Sequence, residues 1–289
     1  MLNKIVYLIK NPRFVLAITL MLVIPFIIYV SFESSNEQVL GREIRVNEEV
    51  VALPRQIPTL APSPNPSEAS PAIRLSRSSY TIAVFGDSMV DTMGENLEYL
   101  QKSLKSKYPQ TRFNLYNYGR GGENAAQGLE RFGSAFTYQT RNYPPITQIN
   151  ADIIILGSFS YNPFPEHSAI RHKEILANLA GVANATGAQV YVLAEIAPLK
   201  AGFGEGPSGI NWPAELANMQ AQHIVEQMEN VFVLSKSLNV ALIDAYGLSK
   251  DTDSKFGMKV YVNGSDGIHP SVQGHVLMSN LIAASLKLK

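Results

Sequence analysis

The sequence contains no cysteine, and its 289 residues include one tryptophan. Without cysteine the chain has no disulfide, no thiolate metal ligand and no cysteine nucleophile. The formal net charge is zero, because 24 basic side chains balance 24 acidic ones. The composition therefore gives no sign of a nucleic-acid partner. Hydrophobic residues make up 46% of the chain, which excludes a wholly disordered or collagen-like protein. The length suggests one or two domains.

A segment near the N-terminus has no charged residue. Residues 14–32 read FVLAITLMLVIPFIIYVSF, about the length of apolar helix that crosses a bilayer. Because Lys4, Lys10 and Arg13 precede this run and acidic residues follow it, residues 1–13 are predicted to be cytoplasmic and the rest to lie outside. A cleaved signal peptide is the alternative, but its apolar core is usually shorter and ends at a small-x-small site. We therefore expect a single-pass anchor in the cell membrane.

The next segment, residues 33–79, shows no helical or strand periodicity. Six prolines fall between Pro54 and Pro71. Because proline fixes φ and removes a backbone donor, this stretch is predicted to be an extended linker without a core of its own. It either holds a domain away from the membrane or is an unselected disordered linker, and both interpretations give the same geometry.

From Tyr80 to the C-terminus, short apolar runs alternate with amphipathic ones. The apolar runs that are typical of buried strands cover residues 81–86, 113–118, 151–158, 189–196 and 240–246. Continuous apolar strands alternating with helices indicate a parallel sheet covered on both faces. We therefore predict that residues 80–289 form one three-layer α/β domain with a five-stranded parallel sheet. The face that the last helix is predicted to bury consists of Leu277, Leu281, Ala284 and Leu288.

Ligands of such folds bind beyond the carboxyl ends of the strands, and two strand ends here suggest nucleophilic chemistry. The tripeptide GDS, ending at Ser88, follows the first strand, although a serine there could also be a helix N-cap. The segment DGIH, from Asp266 to His269, follows the fifth strand. An aspartate at this spacing can orient an imidazole whose other nitrogen faces a hydroxyl. A simple turn would explain Asp266 but not a histidine at the same sheet edge as Ser88.

The second and third strand ends offer hydrogen-bond donors. In NYGRGGEN the glycines allow close backbone approach, so the N–H of Gly122 could point at a developing oxyanion, or these could be ordinary turn glycines. In GSFSYNP the amide of Asn162 could donate to the same oxyanion, or it could only initiate a turn before proline. The glycine segment is not a dinucleotide or phosphate-binding motif, and the histidines do not have a metal-binding spacing.

Taken together, these four segments resemble the sequence blocks of the SGNH (GDSL-like) hydrolases. FGDSMV matches the first block, NYGRGGEN the glycine block and DGIHPSVQGH the last block. The resemblance covers about residues 80–289 and implies a flavodoxin-like α/β/α domain, serine esterase or lipase activity, and no metal or other cofactor. It implies that Ser88 is the nucleophile, that His269 and Asp266 complete the triad, and that Gly122 and the Ser88 amide form the oxyanion hole.

The third block departs from the family pattern, which is Gly-x-Asn-Asp directly after the strand. A direct alignment places Phe159 at the asparagine position, and phenylalanine cannot donate a hydrogen bond. We prefer a wider turn in which Asn162 takes that role.

From the sequence we expect a membrane-anchored, extracytoplasmic serine esterase. Its expected substrates are O-acyl or acetyl groups on carbohydrate, with lipid esters next. One alternative is an O-acyltransferase that uses the same triad on a glycan and needs a partner to deliver the acyl donor. Another is a non-catalytic glycan-binding domain, which the altered third block favours and the intact triad opposes. The glycine-rich loop at residues 200–213 is either a substrate-covering flap or an ordinary surface connection.

Overall fold

A computed structural model describes residues 75–288 of the chain. The predicted anchor at residues 14–32 and most of the predicted linker lie outside this part. Within the part that is described, none of the helices combines the length and the apolarity that a membrane crossing requires.

The strands build one parallel sheet and one small hairpin. In chain order the strands are β1 (Ser79–Gly86), β2 (Arg112–Gly119), β3 (Phe136–Tyr138), β4 (Arg141–Tyr143), β5 (Ile153–Gly157), β6 (Gln189–Ala194) and β7 (Ala241–Asp244). The five-stranded sheet has the order β2-β1-β5-β6-β7, and all its pairs are parallel. This is the flavodoxin-like order, and it confirms the predicted five-stranded α/β sheet. From β1 the chain first adds β2 on one side and then adds β5, β6 and β7 on the other side. The carboxyl ends of β1 and β5 therefore border the crevice where such folds bind ligands.

Helices cover both faces of this sheet. In chain order they are α1 (Ser88–Asp91), α2 (Glu98–Lys107), α3 (Ala125–Arg131), α4 (Ala169–Asn184), α5 (Ala214–Leu238), α6 (Ala245–Ser249) and α7 (Val272–Ser285). Short 3-10 helices cover Ile146–Gln148 and Lys259–Tyr261. Helix α2 packs against α7, and α4 packs against both α3 and α5. Strand β5 is buried at every residue, as expected of a parallel strand covered on both faces.

The predicted buried face of the last helix is wrong. The side chains of α7 that are buried include His275, Met278, Ser279, Ile282 and Ala283. Of the predicted face, Leu277 and Leu281 are half-buried, Ala284 is exposed and Leu288 lies beyond the end of the helix. Apolar residues lie on every side of α7, so their spacing alone does not identify the side that packs against α2 and the sheet.

The β3–β4 hairpin is not predicted by the sequence pattern. Its strands pair antiparallel around a turn in which Gln139 has a φ of +53°. The hairpin packs beside β2, where the ring of Phe136 lies 5.4 Å from that of Tyr118. The hairpin therefore lies next to the carboxyl end of β2.

Candidate active site

Ser88 lies at the sharp turn between β1 and α1. A Cβ at Gly86 would lie 2.4 Å from Val90 Cγ2, so this turn requires glycine. Helix α1 is capped by Asp87, whose Oδ1 accepts the N–H of Met89 at 2.9 Å. The interpretation of Ser88 as a helix N-cap is therefore wrong. The half-buried Ser88 hydroxyl makes no hydrogen bond to any other described residue, so it is available for chemistry.

Asp266 and His269 form a preorganised pair in the turn before α7. His269 Nδ1 lies 3.0 Å from Asp266 Oδ2, while Oδ1 accepts the N–H groups of Ile268 at 2.7 Å and His269 at 2.9 Å. Burial acts to raise the pKa of Asp266, but these hydrogen bonds outweigh it and hold that pKa below its ordinary value. An ionised Asp266 keeps the proton of neutral His269 on Nδ1, which leaves Nε2 as a base.

The glycine-rich loop at residues 200–213 packs directly against this turn. The N–H of Gly204 donates to the carbonyl of Gly267 at 3.2 Å. Gly267 has a φ of +67°, and a Cβ there would lie 2.3 Å from the carbonyl oxygen of Gly202. The loop thus braces the turn carrying Asp266, and its glycines permit the close backbone contact.

The fold brings the two halves of the predicted triad to one edge of the sheet. Burial raises the pKa of Asp87 to about 6 and the pKa of Asp91 above its ordinary value, and the positive charge that His269 carries when protonated partly offsets both shifts. His269 therefore acts electrostatically on the carboxyl groups of Asp87 and Asp91, which stand on either side of Ser88 in the sequence. No hydrogen bond joins Ser88 and His269 among the described contacts, a bond that in many enzymes tightens only when substrate is bound.

The glycine block after β2 lies against α1. A Cβ at Gly119 would lie 2.2 Å from Asp91 N, and the Cβ position of Gly121 is 3.9 Å from Ser88 Cβ. Gly122 is exposed, has a φ of +75°, and its N–H donates to none of the described residues. The geometry thus places a free backbone donor just beyond the glycine that faces Ser88.

The third block forms a wide turn. Phe159, at the position that direct alignment gives to the asparagine, has a φ of +55° and is fully buried, with its ring 5.8 Å from that of Phe85. Asn162 instead lies at the site, where its Nδ2 donates to Asp87 Oδ2 at 3.0 Å. An amide nitrogen carries a second hydrogen, which makes no bond to the described residues. The role of Asn162 as an oxyanion donor remains a prediction.

A buried glutamate, which belongs to none of the four sequence blocks, holds this turn. Glu195 follows β6, and its carboxyl group bonds both the N–H and the hydroxyl of Ser158. The hydroxyl of Tyr161 donates to the carbonyl of Ile196 at 2.9 Å, which ties the turn to the same strand end. Burial raises the pKa of Glu195 to about 8, and the negative charge of Asp87 adds to that shift. The signal was an acidic residue at the end of the apolar run QVYVLAEI.

Two ion pairs support the glycine block from the hairpin side. Arg131 binds Glu123 through Nε, at 2.8 and 3.0 Å from the carboxylate oxygens. Arg141 pairs with Asp91 and donates to the carbonyl of Asn117 at 2.9 Å. Within residues 75–288, no group of three or more histidine, aspartate and glutamate side chains is arranged to hold a metal ion.

The sequence model of the GDSL-like lipase/acylhydrolase family matches residues 82–282. The chain therefore belongs to the GDSL-like lipase/acylhydrolase family, and it is an enzyme that hydrolyses esters.

Solved structures of similar fold include a lipase/acylhydrolase from Enterococcus faecalis, at 17% identity and a TM-score of 0.53, covering 73% of this chain and 97% of that one. A GDSL-like lipase from Bacteroides thetaiotaomicron is 15% identical, with a TM-score of 0.52 and coverage of 71% and 86%. A catalytic mutant of an acetylxylan esterase from Geobacillus stearothermophilus is 12% identical, with a TM-score of 0.51 and coverage of 75% and 97%. At these identities the similarity shows the fold. A search of curated proteins finds no significant match.

Proposed function

We propose that this enzyme is a membrane-anchored, extracytoplasmic serine esterase that removes acyl groups from carbohydrate. The observation that carries the proposal is the His269–Asp266 pair, with Nε2 unpaired among the described residues, at the sheet edge that also presents the unpaired hydroxyl of Ser88. A helix-capping serine or a simple turn would not require this combination.

In the proposed mechanism, Nε2 of His269 accepts the proton of Ser88 as Oγ attacks the ester carbonyl. The C=O bond becomes a C–O⁻ bond in a tetrahedral intermediate, and Asp266 stabilises the imidazolium. When the intermediate collapses, the ester C–O bond breaks and His269 returns the proton to the leaving alcohol. A water molecule, activated in the same way, then releases the acyl group from Ser88.

Three donors are proposed to stabilise the oxyanion: the backbone N–H groups of Ser88 and Gly122, and the second amide hydrogen of Asn162. Their support is that none of the three donates to another described residue. Donors fixed in advance require little reorganisation when the negative charge develops.

The substrate and the location rest on separate observations. The apolar run at residues 14–32, with basic residues before it, supports an anchor that places the enzyme outside the cytoplasm. An acetylxylan esterase with the same fold supports an acylated carbohydrate as the substrate.

Hydrolysis of 4-nitrophenyl acetate and butyrate by the full-length chain tests the proposal. Ser88→Ala should lower kcat by at least about 10³-fold, because it removes the attacking oxygen. Ser134→Ala, an exposed serine beyond α3, is the matched control and should retain wild-type activity. Equal activity of Ser88→Ala and the wild type would refute the assignment of the nucleophile.

A further inference from the structure

Arg120 lies at the rim of the proposed site. Its backbone N–H donates to the carbonyl of Gly86 at 3.0 Å, two residues before Ser88. The next residue, Gly121, has its Cβ position 3.9 Å from Ser88 Cβ. The Arg120 side chain is 47% exposed, and its guanidinium carbon lies 5.7 Å from the ring centre of Tyr138. The backbone of Arg120 therefore lies close to the turn that carries Ser88, and its guanidinium lies near Tyr138 and remains accessible to solvent.

The acidic side chains near Arg120 each form an ion pair with another arginine. Glu123 is bound by Arg131, with Nη2 to Oε2 at 2.7 Å, and Asp91 is bound by Arg141. Both of these arginines are buried, whereas Arg120 has only a longer contact of 3.6 Å to the shared Glu123. Three cations thus share two carboxylates around the glycine block. The incompletely neutralised charge is on Arg120, the exposed member.

Tyr138 of the β3–β4 hairpin packs against the Arg120 side chain. Two guanidinium groups lie over the ring of Tyr138, that of Arg120 and that of Arg141, whose carbon is 5.4 Å from the ring centre. The hydroxyl of Tyr138 is 3.0 Å from the Cβ position of Gly121. This packing restricts the positions that the Arg120 guanidinium can take and keeps it near Tyr138 and Gly121.

We propose that Arg120 binds an anionic group of the substrate, a carboxylate or a phosphate, so that the enzyme prefers esters of acidic molecules. The inference rests on the proposed function, because it places the anion a few bonds from the ester attacked by Ser88. A guanidinium presents a planar fork of donors that matches carboxylate and phosphate oxygens.

Three aryl acetates of similar size test this preference: 4-acetoxybenzoate, 4-acetoxyphenyl phosphate and the neutral 4-acetoxybenzamide. Each is given to the full-length wild type, Arg120→Gln and Arg120→Lys, and kcat/KM is measured. The ratio of anionic to neutral kcat/KM should fall roughly 5- to 30-fold in Arg120→Gln, the range for a partly exposed charge-assisted contact. Lysine should restore part of the ratio, since it keeps the charge but not the fork. The anion with the larger loss identifies carboxylate or phosphate.

Arg112→Gln is the matched control, because Arg112 is the exposed arginine at the opposite end of β2. It should leave the ratio unchanged. A ratio that is the same in Arg120→Gln and the wild type would overturn the proposal.

Binding is measured separately by calorimetry, with 4-acetoxybenzoate and 4-acetoxyphenyl phosphate added to Ser88→Ala and to Ser88→Ala/Arg120→Gln. The proposal expects the double variant to bind at least one of the two anions roughly 5-fold or more weakly. Equal affinities for both would overturn it. This arm decides the role of Arg120 even if no ester is hydrolysed, a result that would count against the proposed function instead.

Discussion

In the third block, where the chain departs from the family pattern, Asn162 is the residue proposed to replace the usual asparagine. Its amide donates to Asp87, the neighbour of Ser88, whereas the phenylalanine at the aligned position faces the core. A donor already held by a buried carboxyl group is positioned before substrate arrives, which is the condition for oxyanion stabilisation.

We predict that Asn162→Ala lowers kcat for 4-nitrophenyl acetate by about 10²–10³-fold with a smaller change in KM, because one donor to the transition state is lost. Steady-state kinetics of the full-length chain measure this effect. Asn184→Ala, at the exposed end of α4, is the control. A kcat for Asn162→Ala close to that of the control would contradict the assigned role.

At the scale of elements, the third-block turn depends on the packing of helix α3. Gly128 of α3 lies directly against the ring of Phe159, where a Cβ would come within 2.5 Å of the ring carbon Cζ. The ring is fully buried, so it has no free space into which it can move. Helix α3 therefore helps to fix the turn that presents Asn162.

Gly128→Ala should lower the free energy of unfolding by about 1–3 kcal/mol through overpacking, and should lower kcat by shifting the turn. Gly181→Ala, in the last turn of α4 with nothing within 4 Å of its Cβ position, is the matched control. That change should stabilise the protein by about 0.5–1 kcal/mol, since alanine favours a helix over glycine. Urea unfolding measures both, and equal shifts in the two variants would contradict the packing argument.

The elements that could be predicted are those with a strong hydrophobic pattern. The five sheet strands follow from continuous apolar runs, because both faces of a parallel sheet are buried. The β3–β4 hairpin could not be predicted, since its short strands contain polar residues and its turn depends on a positive φ at Gln139. The buried face of α7 could not be predicted either, because apolar residues lie on every side of that helix and only its packing partners determine which side is buried.

The residues of the site also fall into two groups: those that a local sequence block indicates and those whose role depends on tertiary contacts. Ser88, Asp266 and His269 stand in short sequence blocks, so their shared location follows once a parallel sheet is assumed. The contacts of Glu195 and Arg120 depend on residues far away in the chain, which no local pattern reveals. Asn162 is intermediate, because the sequence suggested a wider turn but not its contact with Asp87.

Stability of the whole molecule should depend on pH through Glu195. Its pKa is raised from 4.5 to about 8, chiefly by burial, so the native state retains a proton that the unfolded chain releases between these values. The contribution of Glu195 to the free energy of unfolding therefore falls as pH rises through this window, whereas His172 and His275, whose pKa values burial lowers from 6.5 to about 4, act in the opposite direction below about pH 6.5. Asp87 titrates with the same sign, but its raised pKa of about 6 leaves the range from pH 6 to 8 mainly to Glu195.

We predict that Glu195→Gln removes this dependence. The amide oxygen of a glutamine can accept the N–H of Ser158, and its NH2 group can donate to the hydroxyl oxygen of Ser158, which in the wild type donates to the carboxyl group. The variant should gain stability relative to the wild type on the order of 1 kcal/mol per pH unit between pH 6 and 8. Denaturant unfolding at several pH values measures the difference. Glu195→Ala is the control that loses the contacts at every pH, and parallel curves for Glu195→Gln and the wild type would contradict the account.

In the proposed mechanism, His269 activates Ser88 as a nucleophile. Reaction of the full-length chain with a fluorophosphonate, followed by peptide mass spectrometry, tests this activation, because the reagent bonds covalently to an activated serine. We expect modification of Ser88, and a labelling rate that is about 10²–10⁴-fold lower in His269→Ala, the usual contribution of a general base. Modification of a different side chain, or equal labelling of Ser88 with and without His269, would contradict the proposed mechanism.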